Sequence, residues 1–284
     1  MLPSWLVLDP LLQSWLLEDV GRGDRTTQGI LQGQSRMSKA VWVAKQSGVL
    51  AGLEVAARVF QLLDPRVTAA VSQSDGYECQ PSEIIARFHG PLEALLTGER
   101  VALNLAMRLS GIATLTHQYV EKLAGTSAQL ADTRKTTPGL RVLEKYAAFV
   151  GGAVNHRMGL DDAVMLKDNH IAAAGGIEQA VTQVRAHMPY PLSIEVETEN
   201  LTQVKAALAQ KVDIIMLDNM PLDEMQQAVE LIRQQSDRIK VEASGNITLT
   251  TIRDVAQTGV DYISTSAPIT QAKWLDISMR LDLE

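Results

Sequence analysis

The stretch SIEVETENLTQVKAALAQKVDIIMLDNMPLDEMQQAVELIRQQSDRIKVEASGN, residues 193–246, holds three short apolar runs separated by two amphipathic segments, Leu201 to Gln210 and Leu222 to Gln235. The runs end near Val196, Leu217 and Ala243, and each is flanked by chemistry: Glu195 and Glu197, Asp218-Asn219, and Ser244-Gly245-Asn246. Strand and helix in alternation imply parallel strands joined by crossover helices. The same texture extends in both directions. Further apolar runs end at Asp132, Leu166 and Ile263, and Ile177 to His187 and Leu249 to Gln257 read as further helices. The outlying strand ends carry Thr133-Arg134-Lys135, Lys167-Asp168 and Ser264 to Ser266. An open doubly wound sheet gathers such residues at one switch point, whereas a (β/α) barrel gathers them at a common mouth from nearly every strand. The barrel is therefore preferred, and six legible strands make it an incomplete one.

Upstream, residues 30–95 read as a small α+β unit. Strands are expected over Met37 to Ala44, Thr68 to Val71 and Ile84 to Phe88, and a helix over Glu54 to Leu63, punctuated by Gly48, Pro65, Gly76 and Pro91. Glu99 to Leu123 has a helical period crossed by Gly111, which predicts two helices or one kinked there. Leu2 to Leu17 has no basic leader and is interrupted by Asp9-Pro10, so it reads as an amphipathic helix rather than a signal peptide, with Asp9 as N-cap, Pro10 as its first residue and Gly21 beyond its end.

The 284 residues include 26 Lys plus Arg against 33 Asp plus Glu, a net charge of −7. That balance argues against nucleic acid as a partner, and no apolar stretch is long enough to span a bilayer. Any anion must be met by a local cluster. The single cysteine, Cys79, can form neither an intramolecular disulfide nor a cysteine-based zinc site; it reads as a buried bystander in a reducing compartment, the cytoplasm.

Such a cluster exists. Arg134, Lys135, Arg157 and Lys167, with His156 beside them, converge on the expected mouth and suit a compact polyanion, the arginines gripping carboxylate or phosphate through two bonds. Arg141 and Lys145, at helical spacing near Glu144, read instead as solvated pairs. Glu197 and Asp218, one βα unit apart, can hold Mg²⁺, bind sugar hydroxyls or stabilise developing positive charge. Glu195 shares the parity of Glu197 and is the better candidate for a buried structural pair with a cation. Ser244-Gly245-Asn246, ahead of a helix expected near Thr248, suits a phosphate. No Walker loop, His-Glu-x-x-His helix or Gly-x-Ser-x-Gly elbow is present, and Gly21-Arg22-Gly23-Asp24 follows a helix rather than a strand, unlike a dinucleotide fingerprint.

Glu18 to Thr26 (EDVGRGDRT), Leu103 to Thr114 (LNLAMRLSGIAT), Asp132 to Tyr146 (DTRKTTPGLRVLEKY), Asn155 to Leu160 (NHRMGL) and Leu166 to His170 (LKDNH) together resemble the quinolinate phosphoribosyltransferase family, also called carboxylating nicotinate-nucleotide pyrophosphorylases. The resemblance runs from about Glu18 to Trp274. It implies an N-terminal α/β sandwich with linking helices over residues 1–112, an open barrel of about seven strands over 113–269, and a C-terminal helix over about 270–284 able to pack back on the sandwich. The implied reaction converts quinolinate and phosphoribosyl pyrophosphate into nicotinate mononucleotide, pyrophosphate and CO₂, with Mg²⁺ and no prosthetic group, in de novo NAD biosynthesis. In that resemblance Thr133, Arg134, His156, Arg157 and Lys167 hold quinolinate, Arg100 arrives from the partner of a homodimer, and Lys135 meets the pyrophosphate or the developing charge. Glu197 and Asp218 take the ribose hydroxyls and metal, and Ser244, Gly245, Asn246, Thr265, Ser266 and Ala267 take the 5′-phosphate.

Two departures stand out. Gly151-Gly152-Ala153 replaces a glycine triplet, and Thr265-Ser266-Ala267-Pro268-Ile269-Thr270 replaces Val-Gly-Ala-Leu-Thr-His, so hydroxyls stand where a glycine and histidine are usual. Other readings are a molybdenum-associated paralogue taking another aromatic acid, a Schiff-base lyase acting through Lys167, and a phosphate sensor that would not need both Glu197 and Asp218.

Overall fold

A computed structural model describes residues 2–34 and 36–282, the last by its backbone alone. In chain order the elements are α1 (Trp5–Val20), α2 (Arg25–Leu31), β1 (Met37–Ala44), β2 (Gly48–Val49), α3 (Leu53–Leu63), β3 (Thr68–Val71), β4 (Glu78–Cys79), β5 (Ile84–Pro91) and α4 (Leu92–Lys122). There follow β6 (Gln129–Ala131), α5 (Arg141–Val150), β7 (Val164–Leu166), α6 (Asp168–Ala174), α7 (Ile177–Arg185), β8 (Ile194–Thr198), α8 (Leu201–Ala209) and β9 (Ile214–Asp218). The chain ends with α9 (Leu222–Gln235), β10 (Lys240–Ser244), α10 (Ile252–Gln257), β11 (Tyr262–Ser264), α11 (Ala267–Thr270) and β12 (Ile277–Asp282).

Two compact units result. The first gathers residues 1–117, 142–151 and 271–284, the second residues 118–141 and 152–270.

The first unit is an antiparallel sheet of order β12-β1-β5-β3 with α3 against it and α1 on α3. Its centre is the aromatic trio Trp42, Phe60 and Phe88, with ring centroids 4.8 to 6.1 Å apart. These tilted contacts between rings from β1, α3 and β5 fasten helix to sheet. Cys79 is buried and forms no disulfide, and burial pushes its thiol pKa up, away from the reactive thiolate.

Three expectations change here. First, α1 begins at Trp5 with Ser4 as its cap, so Pro10 lies inside the helix and Asp9 forms an ion pair with Arg58 at 2.8 Å. The carbonyl that Pro10 leaves without an N–H is that of Leu6, an exposed residue open to water, which is why the proline is tolerated. Second, Gly111 lies within one continuous helix, α4. Its lack of a side chain is required by packing, because a Cβ there would collide with the Lys273 carbonyl. Third, the segment expected as a C-terminal helix is strand β12, paired antiparallel with β1 from Ala44↔Ile277 to Lys39↔Asp282. The period-two alternation of Ile277, Met279 and Leu281 with Ser278 and Arg280 is a strand pattern. Positions 283–284 of the expected helix lie outside the described residues.

The second unit is a parallel sheet of order β6-β11-β10-β9-β8-β7. The first strand pairs with the last, Ala131 beside Ser264, so the sheet curls into a barrel. On its other side Ala131 makes a single parallel bridge to Val154, the remnant of a seventh strand. Among the described residues nothing pairs Val154 with β7, and the barrel is open there. Ala153 is buried and has no left-handed backbone, so the alanine in place of a third glycine is not strained.

Replacing Gly111 by Ala should destabilise the protein by about 1–3 kcal/mol in urea unfolding, the cost of overpacking. Helix propensity alone would give a gain of about 1 kcal/mol. The sign of the change distinguishes the two.

Candidate active site

The in-register pairing of β9, β10 and β11 sets Asp218, Ser244 and Ser264 at one level, at the C-terminal ends of their strands. These ends and the loops that follow line a cavity of about 600 Å³. Of the residues expected at the site, Thr133, Arg134, Lys135, His156, Arg157 and Lys167 line it, as do Glu197, Asp218, Ser244, Gly245, Asn246, Thr265 and Ser266. Two do not. Ala267 is buried at the start of α11, and Arg100 lies on α4 in the first unit.

One wall is cationic. Burial, and next the charge of Arg134, lower the pKa of Arg157, while Glu195 acts in the opposite sense. Two half-buried guanidiniums thus repel each other on this wall, and an anionic ligand would relieve them. Arg157 is held by its Nη1, which donates to the Ala163 carbonyl at 2.8 Å. The segment that carries it is anchored from β6: the buried Asp132 carboxylate accepts from the His156 backbone N–H at 2.8 Å and from Asn155 Nδ2 at 2.7 Å.

His156 lines the pocket, but both ring nitrogens already have protein partners. Nδ1 accepts from the Arg157 N–H at 2.7 Å, and Nε2 lies 3.0 Å from Glu195 and 3.6 Å from Glu242. Glu195 is buried, and its partner is the His156 imidazole rather than the lysine or arginine that a pair with a cation would require.

Another part of the lining is acidic. Lys167 Nζ stands 3.6 Å from Glu197. Burial raises the Glu197 pKa, Lys167 opposes this, and the charges of Asp218 and Asp168 add to the rise. Carboxylates that crowd one another in an open pocket are a hard-oxygen donor set that fits Mg²⁺ retaining water and substrate phosphate ligands.

The third part is a polar turn organised by Asn219. Its backbone N–H donates to Ser244 O at 2.9 Å, its Nδ2 to Asp218 Oδ2 at 2.8 Å, and its Oδ1 accepts from Asn246 Nδ2 at 3.0 Å. The following helix, α10, begins only at Ile252, so the expectation of a helix starting near Thr248 to present this turn is corrected. What the turn offers is its own left-handed backbone, φ +97° at Gly245 and +51° at Asn246. Thr265 is partly committed within its own loop, where its Oγ1 accepts from the Ala267 N–H at 3.3 Å.

Arg141, expected to be a solvated pair, also lines the pocket, with Nε on Thr136 Oγ1 at 3.1 Å and Nη1 on the Met158 carbonyl at 3.2 Å. Its supposed neighbours Glu144 and Lys145 are fully buried, with Glu144 paired to Arg108 at 2.7 Å. Asp132 and Glu242 were missed as site residues, and Asn219 was noted at its strand end without a role, because their roles depend on cross-strand neighbours. Glu242 did carry a signal, since it shares parity with Ser244 on an apolar strand.

A Cβ on Gly245 would meet the Asn219 side chain, and φ there is left-handed. Gly245→Ala should therefore lower stability by about 1–3 kcal/mol in thermal unfolding and weaken inorganic phosphate binding in titration calorimetry.

The chain was also compared with known proteins. Residues 24–110 match the family model described as the quinolinate phosphoribosyl transferase N-terminal domain, and residues 112–280 the corresponding C-terminal domain. A probable nicotinate-nucleotide pyrophosphorylase [carboxylating] from Synechocystis is 58% identical over 99% of this chain and 94% of its own. One from Bacillus subtilis is 46% identical over 98% and 94%. The crystal structure of NadC from Streptococcus pyogenes superposes with a TM-score of 0.93 at 44% identity, covering 98% of this chain and 97% of that one. With both family domains matched in order along the chain, the protein belongs to the quinolinate phosphoribosyltransferase family.

Proposed function

We propose that the protein transfers the phosphoribosyl group of phosphoribosyl pyrophosphate to quinolinate with decarboxylation, giving nicotinate mononucleotide, pyrophosphate and CO₂ for NAD biosynthesis. The observation that carries this reading is a pocket lined by a wall with Arg134 and Arg157 and by a second, acidic wall with Glu197 and Asp218. A compact dicarboxylate relieves the first wall, and a sugar that becomes cationic is met by the second.

Arg134, Arg157 and Lys167 hold the two carboxylates, with Thr133 beside them. Lys135, exposed at the rim, meets the pyrophosphate. The turn of Ser244, Gly245 and Asn246 takes the 5′-phosphate, with the Thr265 and Ser266 hydroxyls replacing the family's usual donors. When bound, Mg²⁺ neutralises charge on the departing pyrophosphate, and Glu197 and Asp218 are the residues that would hold it. The same two carboxylates lie where the ribose carbon develops oxocarbenium character, so they stabilise the transition state more than the neutral sugar. As the C–O bond to pyrophosphate breaks, the pyridine nitrogen supplies the electron pair of the new bond. The ring nitrogen is then cationic, and the pair left by departing CO₂ remains on the adjacent ring carbon until a proton replaces it.

Arg100 contributes from a second copy of the chain, so the working unit is a homodimer. The support is that the cavity is lined within the second unit alone while Arg100 belongs to the first. A chain with one cysteine, built without disulfides, supports a cytoplasmic location.

An assay with quinolinate, phosphoribosyl pyrophosphate and Mg²⁺ should release CO₂ and nicotinate mononucleotide one for one. Borohydride trapping of Lys167 by a carbonyl substrate would instead favour the lyase. Glu197→Ala combined with Asp218→Ala should cut kcat on the order of 10³-fold or more while quinolinate still binds in calorimetry; unchanged turnover would refute the electrostatic role. Arg100→Ala mixed equally with Lys167→Ala should regain about a quarter of wild-type activity, because half the dimers are hybrids with one intact site of two. Verified hybrids without recovery would place Arg100 in its own chain's site.

A further inference from the structure

Beneath the cationic wall, Glu195 from β8 and Glu242 from β10 converge on one nitrogen, His156 Nε2, at 3.0 and 3.6 Å. Both side chains are more than nine-tenths buried, and the outer oxygen of each, Oε1, has no hydrogen-bond partner. Two buried carboxylates and an imidazole could hold a cation or a proton. The imidazole decides between them. Its Nδ1 accepts the Arg157 N–H at 2.7 Å and is therefore bare, so the ring proton sits on Nε2. A metal at Nε2 would need that nitrogen bare and Nδ1 protonated, setting two N–H groups against each other. The imidazole is also neutral, and it cannot balance two ionised carboxylates.

We propose that Glu242 carries a proton and acts as a positioning residue, holding His156 as the neutral Nε2–H tautomer that keeps Arg157 in the pocket wall. Glu195 is the nearer acceptor for Nε2–H. Glu242 faces Glu195 from β8, His156 from the loop after Val154, and the Ser264 hydroxyl from β11. Met216 on β9 and Tyr262 on β11 are its partners in register. Burial first, then the charge of Glu195, push its pKa to about 7, with His156 and Ser264 opposing. Since this lies above the ordinary value of 4.5, the group is protonated at pH 6 and ionised above 7. When it ionises, the O–H bond breaks and the proton passes to water through the pocket that Glu242 lines. The new negative charge sets two buried carboxylates on the one Nε2–H, which loosens the hold on His156 and Arg157, and it repels an anionic ligand.

The inference deepens the reading of the pocket as a quinolinate site, and its test separates the two. In the ligand-free protein, infrared difference spectra should show a carboxylic acid carbonyl band at pH 6 that titrates near pH 7 and is absent from Glu242→Gln. Its absence from the wild type overturns the proposal, whatever the substrate. Nitrogen NMR of wild-type protein labelled in histidine should show His156 as the Nε2–H tautomer at pH 6. An imidazolium there overturns it also, and this measurement needs no variant to fold. In turnover, the wild-type KM for quinolinate should rise about tenfold per pH unit above 7, one proton being linked to binding, while that of Glu242→Gln stays level. Parallel profiles would show that Glu242 is only structural.

Discussion

Arg134 and Arg157 share one wall, where their repulsion ranks ahead of the pull of Glu195 on Arg157, and much of the second unit serves to keep them there. Like charges in a half-buried setting separate unless each is tied down. Arg157 is tied by its guanidinium to Ala163 and by its backbone to His156, and the same segment is tied to Asp132 at the end of β6. Asp132 is well placed because β6 closes the barrel against β11. A strand pairing on the far side of the sheet thus sets where two cations meet.

The open edge of the barrel follows from the same constraint. A regular seventh strand would spend the backbone of residues 154–158 on hydrogen bonds to a neighbour, and its side chains would alternate between faces. One bridge at Val154 followed by side-chain anchoring releases Asn155, His156 and Arg157 from that alternation, so that His156 and Arg157 both line the pocket.

Much of this was legible in the sequence. Apolar runs and helical patterns marked most strands and helices: Ala40 to Ala44 is a short apolar run that is largely buried, and Leu222 to Gln235 buries one face at helical spacing. The residues at strand ends marked the mouth because little but chemistry places charge after an apolar run. What stayed hidden depended on partners distant in sequence. Arg141 resembles any arginine on a helix until Thr136 and the Met158 carbonyl turn it inward. Ile277 to Leu281 alternates like a strand, but only β1, more than 200 residues earlier, makes it one. Pro10 misplaced a helix start, because local rules cannot register that Leu6 is bathed in water.

Glu195 and Glu197 show how two residues of spacing on one strand separate two tasks. Both point to the barrel interior, yet Glu197 reaches the cavity beside Lys167, and Glu195 sits one step deeper against His156. On β10, Glu242 and Ser244 repeat the division, the carboxyl below and the hydroxyl at the rim. The upper layer opens on the cavity and can meet a ligand. The lower layer is too dry for two charges, so it must carry either a metal or a proton. The hydrogen bond from the Arg157 N–H to His156 Nδ1 selects the proton. Catalytic and supporting acids therefore differ by depth along the same strands: burial leaves the upper pair available for a cationic transition state and obliges the lower pair to be partly neutral.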